Sequence, residues 1–299
     1  MKAKIKSIIR NVCHIFGGVV CTGVVLASAS NAQAQNLFVS QYGGFENIIE
    51  ISPGRAQNTF ASGLDYPAGL AFDSAGNLFE ADVSSGNIYE FTPGGARSTF
   101  ASGLSQPVGL AFNSAGDLFA ADWASGNIYE FTLSGVQSTF ASGLSCPNGL
   151  AFNSAGNLFV GCIVGGNIYE FTPDGEQSTF ASGLYPIGLV FNSAGDLFAT
   201  GDGNIYKFSP SGVRSTFASG LPGVGVLAFN SADDLFALDS GNMYEFTPDG
   251  TQSTFASGLD PVGMAFQGET LPVPEPSALG LLAVGATALL ARRRRIQLN

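Results

Sequence analysis

Histidine occurs once in the 299 residues, as His14. Its scarcity excludes Ser-His-Asp catalysis and histidine metal centres from everything that follows it. Cysteine is nearly as rare: Cys13, Cys21, Cys146 and Cys162 are too few and too scattered for a zinc cluster or a disulfide framework. Charged residues make up only 12% of the chain, and positive charge is almost missing from its middle. Lys2, Lys4, Lys6 and Arg10 sit at the start and Arg292, Arg293, Arg294 and Arg295 at the end, which leaves Arg55, Arg97, Lys207 and Arg214 between them. That same middle holds every one of the 23 acidic residues except Glu275. So acidic a body repels phosphate backbones, which excludes nucleic acid as a partner and leaves divalent cations, or solubility alone, as the use of the charge. There is no glycine-rich phosphate loop. Outside the two ends there is no stretch with the 3.6-residue period of a helix.

The ends read as addresses. Residues 1–34 have a basic start, an apolar run from Ile15 to Ala29, and small residues at Ala32 and Ala34 on either side of Gln33, which is the layout of a secretory signal peptide cut before Gln35. An uncleaved anchor is the alternative. Bulky Val20 in front of Cys21 argues against a lipidated cysteine. At the other end Pro274-Glu275-Pro276 precedes an apolar run from Ala278 to Ala291 and then the four arginines. The run is short for a relaxed span of roughly 20 residues, and the arginines would hold its end in the cytoplasm.

Between the ends one sentence is repeated. Residues 109–143 read GLAFNSAGDLFAADWASGNIYEFTLSGVQSTFASG, and the block from Gly149 is nearly the same. The Phe of the GLAF step recurs at Phe72, Phe112, Phe152, Phe191, Phe229 and Phe266, at intervals of 40, 40, 39, 38 and 37 residues. Each unit parses into four short strands rich in Phe, Tyr, Ile and Val, punctuated by Gly, Asn, Ser and Asp turns: a (GLAF), b (DLFAAD), c (NIYEFT) and d (QSTFAS). Four strands in roughly 40 residues, repeated, make a propeller blade. The body opens on a strand b at Asn36–Ser40 and ends on a strand a at Gly263–Phe266. These fragments complete one another, so the sequence predicts an all-β, six-bladed β-propeller over 35–268, closed by pairing Met264-Ala265-Phe266 with Leu37-Phe38-Val39, rather than an open solenoid. A linker at 269–273 and the C-terminal segment 274–299 follow.

Two resemblances attach to these motifs. The Pro-Glu-Pro motif, apolar run and arginine cluster, in that order, resemble the PEP-CTERM sorting signal of Gram-negative bacteria. That resemblance implies signal peptidase and exosortase as processing partners, transient membrane contact through the C-terminal helix, and delivery to the cell surface or exterior, where such proteins are often associated with exopolysaccharide and biofilm matrix. The blade sentence resembles NHL-repeat propellers and the gluconolactonase and strictosidine-synthase-like superfamily over residues 36–268. In Pro147-Asn148-Gly149-Leu150 the asparagine stands where gluconolactonases place a metal-ligating Asn, but equivalent steps carry Ile187 and Val262 instead of the acidic partner.

Residues present in every blade read as scaffold: the strand-d phenylalanines Phe100, Phe140, Phe180, Phe217 and Phe255, and the strand-c glutamates Glu50, Glu90, Glu130, Glu170 and Glu245, with Lys207 in one blade. Departures are the candidates. Strand b ends on Asp82, Asp122 and Asp239 in three blades. With Asn148 these could hold a divalent cation such as calcium at one mouth of the central channel, or each could hold the backbone of its own following turn. Cys146 and Cys162 bracket strands a and b of one blade and could form a disulfide in an oxidising exterior. Tyr42, Tyr66, Trp123 and Tyr185 break the repeat near blade ends, where aromatic rings either pack or stack on sugars. The sequence favours a non-catalytic binding or structural component whose partner is a polysaccharide or a surface protein. A divalent-metal-dependent, lactonase-like hydrolase is the alternative.

Overall fold

The structure is a computed structural model that describes residues 35–268. The leader, the linker and the C-terminal sorting segment lie outside the described residues. Within them every regular element is a strand, and the strands form six separate four-stranded antiparallel sheets. Blades 1 to 5 span 67–101, 107–141, 147–181, 189–219 and 224–257. The sixth, composite blade joins Pro261–Phe266 to Leu37–Gln41, Asn47–Ile51 and Gln57–Ser62. Its register places Leu37 against Phe266, Phe38 against Ala265 and Val39 against Met264, which is the closure the incomplete ends predict.

Strand a lines the central channel and strand d is outermost. Composition follows position. Strand b is buried along its whole length in all six blades, and its apolar run faces a neighbouring blade on both sides. Strand d opens on three exposed residues in every blade and then turns half-buried, as an edge strand does. In each blade a bulge after the second residue of strand c, for example between Ile128 and Tyr129, adds the twist that turns strand d outward.

The core is a set of seams between blades. One such cluster joins Phe79, Ala81 and Ile88 of blade 1 to Leu110, Leu118, Ala120 and Phe131 of blade 2. A phenylalanine relay crosses every seam. Phe119 of strand b stands edge-on to Phe140 of its own strand d, with centroids 5.1 Å apart, and to Phe152 of the next blade at 5.0 Å. The same contact closes the ring, where Phe236 of blade 5 meets Phe266 at 4.9 Å. Edge-to-face aromatic pairs add about 0.5–1.5 kcal/mol each beyond burial, so the repeated LF and TF steps are interface residues six times over.

The strand-c glutamates also read as scaffold. Glu50 accepts from Asn36 Nδ2 at 2.6 Å and Glu170 from Asn157 Nδ2 at 2.7 Å. Where blade 4 has Lys207, its ammonium pairs with Asp196 at 2.8 Å, so the charge reversal carries its own partner.

Candidate functional site

The propeller has two unlike ends. Strands a and c start, and strands b and d finish, at what is here called the upper face, so the b–c turns and d–a loops lie there; the a–b and c–d turns form the lower one. The described chain begins and ends on the lower face: Gln35 Nε2 donates to Gln267 O at 3.0 Å, and Ser231 N–H, in an a–b turn, donates to Gln35 Oε1 at 2.8 Å.

The upper ends of strand b carry Asp82, Asp122 and Asp239, and the structure does not bring them together. Each carboxylate is buried and engaged within its own blade. Asp82 accepts from the N–H groups of Asp65 (2.7 Å) and Ser85 (3.2 Å). Asp122 accepts from Ser105 (2.6 Å), Gln106 (3.1 Å) and Ser125 (3.1 Å), and Asp239 from Gly223 (2.6 Å). These contacts fasten the incoming d–a loop, and in blades 1 and 2 the b–c turn as well, to the end of strand b. Lone pairs used this way are not free for a cation, and among the described residues no three His, Cys, Asp or Glu side chains converge on a point where a metal could bind. The donor set therefore does not fit calcium. Asn148 sits apart from the aspartates, half-buried on the inner strand of blade 3 and lining the channel with Val108, Ile187 and Val262.

The channel has a volume of about 420 Å³ and is lined by the six inner strands. Its width is set by glycine. A Cβ on Gly109 would stand 1.9 Å from the carbonyl oxygen of Asn148 in the next blade, and one on Gly263 would stand 2.0 Å from Ala68 O. The Pro-X-Gly step is therefore a close backbone approach that packs inner strands around the axis. Blade 5 departs from it, with Val226 at the glycine position.

Cys146 and Cys162 are not bonded to one another in the structure. The antiparallel register puts Pro147, not Cys146, opposite Cys162, and Cys146 adopts a left-handed φ of 55°. Burial pushes the Cys162 thiol up to about 11, and the neighbouring Cys146 adds to the shift.

The upper face gathers the aromatic departures. Tyr42 (42% exposed), Phe45 (58%), Trp123 (39%) and Val164 (56%) lie in b–c turns, and Tyr185 (59%) and Ile187 (37%) on a d–a connection. The other exposed large apolar residues among those described, Leu133, Val136 and Val213, lie in c–d turns on the lower face. Tyr42 and Tyr66 pack together with centroids 4.1 Å apart at 47°, and Tyr66 is held at φ 65°, a costly conformation for an aromatic residue.

One residue passed over in the sequence reading stands out. Glu80, in strand b of blade 1, is wholly buried, and neither carboxylate oxygen has a hydrogen-bond partner. The equivalent residues of the other blades are Val39, Ala120, Val160, Ala199 and Ala237. Burial, and then the charge of Asp82, hold its carboxyl well above the usual range, against smaller opposing pulls from Arg97 and from the backbone of Ala68, which approaches without completing a hydrogen bond. The signal was present in the sequence, since LFEAD breaks an otherwise apolar position.

Comparison with known proteins separates the two parts of the chain. The PEP-CTERM protein-sorting motif matches residues 272–295. The search of curated proteins returned no match. Among solved structures, a chain of a nidogen/laminin complex is similar with a TM-score of 0.71 at 19% identity, over 79% of this chain and 100% of that one. A virginiamycin B lyase from Staphylococcus aureus is similar at 0.63 and 16%, over 81% and 91%. A gluconolactonase from Xanthomonas campestris is similar at 0.61 and 18%, over 65% and 76%. Identities this low carry the fold and no activity. The chain is thus a six-bladed β-propeller, with NHL- and gluconolactonase-like structural neighbours, joined to a PEP-CTERM motif that marks it for export and surface sorting.

Proposed function

We propose that this is an exported surface or matrix protein that binds extracellular polysaccharide without catalysis, through the upper face of the propeller. Signal peptidase removes residues 1–34, and exosortase processes the C-terminal segment. The observation that carries the binding reading is the segregation of side chains: six exposed large apolar residues share the face opposite the one from which the chain leaves at Gly268. A propeller held through its C-terminal segment leaves that face free. Tyr and Trp offer rigid, flat surfaces that lose little entropy on binding, which suits the apolar faces of sugar rings. The near-identity of the blades supports a non-catalytic role, because an active site requires asymmetry. The lactonase alternative needs several ligands about the channel mouth, and Asn148 has Ile187 and Val262 in the equivalent places. Affinity for polysaccharide isolated from the exterior of the producing cells tests the reading. Trp123→Ala with Tyr185→Ala should weaken binding about tenfold or more, given what buried aromatic anchors contribute, while Leu133→Ser on the lower face should leave it unchanged. Equal binding by all three proteins would overturn the assignment of the face.

A further inference from the structure

The upper face carries four exposed carboxylates against one guanidinium, that of Arg97, which donates to Gly63 O in the loop into blade 1 at 3.1 Å. Glu46 and Asp202 stand exposed in b–c turns, and Asp65 and Asp260 in d–a loops. Among the described residues none of these four carboxylates accepts a hydrogen bond or an ion pair; the two ion pairs present use Glu245 and Asp196. The other basic residues of the body lie elsewhere. Arg55 is in a c–d turn, Arg214 opens strand d, and Lys207 lies within strand c.

Rings and carboxylates meet where the propeller closes. Tyr42 N–H donates to Asp260 O at 2.9 Å, and the Tyr42 ring lies against Tyr66. Asp65 immediately precedes Tyr66, and its own N–H is held by Asp82. The carboxylate of Asp260 lies so near Gly43 that a Cβ there would stand 1.9 Å from Oδ2. These residues come from the first b–c turn, the loop into blade 1 and the loop into the closing strand, so the arrangement exists only in the closed ring.

We infer that the ligand of this face is a cationic polysaccharide, a polymer of 2-amino-2-deoxy sugars with free amines, and that Tyr42, Tyr66, Asp65 and Asp260 form the subsite that holds an ammonium group. The inference rests on the carbohydrate reading of the upper face and deepens it. Tyrosine rings attract a cation through their faces as well as stacking on the sugar. A carboxylate accepts a charge-assisted hydrogen bond from the ammonium. A polymer of uronic acids would bring like charge to all four carboxylates. A basic protein would satisfy the same charges, but a protein interface is built on a contiguous apolar centre. Here the apolar side chains are divided among the composite blade and blades 2, 3 and 4, with polar turns such as Ser84-Ser85 and Ser240 between others. A flexible chain of repeated sugars engages separated platforms one by one and gains by multivalency.

Calorimetry of the mature protein with a fully deacetylated glucosamine hexamer, its N-acetylated counterpart, an oligouronate and oligolysine tests this. The amine-bearing hexamer should bind at least about tenfold more tightly than the acetylated one, corresponding to about 1.4 kcal/mol, and should weaken with salt. The oligouronate should not bind. Asp65→Asn with Asp260→Asn should abolish the preference and leave the melting temperature unchanged, since the fold uses neither carboxylate. Equal or tighter binding of the acetylated or uronate oligomer through Trp123 and Tyr185 would overturn the cationic ligand while sparing the carbohydrate reading. No binding of any saccharide would overturn both. Tighter binding of oligolysine than of the hexamer would replace the polysaccharide with a basic protein.

Discussion

Replacing Glu80 with valine should make the protein more stable, and the gain should grow with pH. Glu80 is wholly buried with both oxygens unpartnered, at a position that other blades fill with alanine or valine. An unsatisfied buried polar group costs about 1–3 kcal/mol, and that part of the gain should be present even in acid. The titration adds to it. The unfolded carboxyl has a pKa near 4.5, and burial holds the folded one well above that. Below the lower value both states are protonated. Above it the unfolded chain ionises while the folded one keeps its proton, so stability falls by about 1.4 kcal/mol per pH unit until the folded pKa is reached. Glu80→Val removes both contributions. Glu80→Gln should remove the slope and keep the unsatisfied dipole. Thermal melts of the three proteins between pH 4 and pH 8 read the effect, at about 2–4 °C per kcal/mol for a domain of this size. A valine variant less stable than the parent at every pH would show that the carboxyl has a partner, and the reasoning would fail.

Further outcomes follow from the same geometry. Gly109→Ala should cost at least about 1–3 kcal/mol in urea melts, because its Cβ would stand 1.9 Å from a backbone oxygen that cannot swing aside; Gly225→Ala, whose nearest contact is Ile187 Cγ2 at 3.6 Å, should stay within about 0.5 kcal/mol in the same melts. Deleting residues 261–268 removes Phe266, whose burial alone is worth roughly 1.5–3 kcal/mol, and bares strand edges; a truncated protein that stayed monomeric with an unchanged melt would refute closure. Thiol titration of non-reduced, denatured protein should find two thiols, and in the native state alkylation should reach half-buried Cys146 well before Cys162; a finding of no thiols would restore the disulfide. Mass spectrometry of protein recovered from the cell exterior should show residues 1–34 and the Arg292–Arg295 cluster absent, and an intact tail would contradict processing.

What could be read in the sequence was whatever repeats. The spacing of the six GLAF phenylalanines gave the blade count, and the strand-b start with the strand-a finish gave the closure, because pairing across a ring depends only on the order of strands. The aspartates ending strand b could be read two ways, since the same carboxylate can bind a cation or cap a loop. Only coordinates show Asp122 taken up by three backbone N–H groups. Pro147 rather than Cys146 stands opposite Cys162, a one-residue detail of register that spacing cannot resolve. The upper face was half visible: Trp123 and Tyr185 broke the repeat, but their sharing one face with Tyr42 depends on how six turns are arrayed. Glu80 is visible when the LF steps are aligned, but a repeated apolar strand otherwise reads as uniform scaffold.

The upper face as the binding surface is tested most directly by hydrogen exchange of the mature protein with and without the polysaccharide of its own cell exterior. Protection should appear in the b–c turns and d–a loops around residues 42–46, 65–66, 123–124, 163–164 and 185–187, and the a–b turns of the lower face should exchange as in the free protein. Protection confined to the lower turns, or none at saturating polysaccharide, would contradict it.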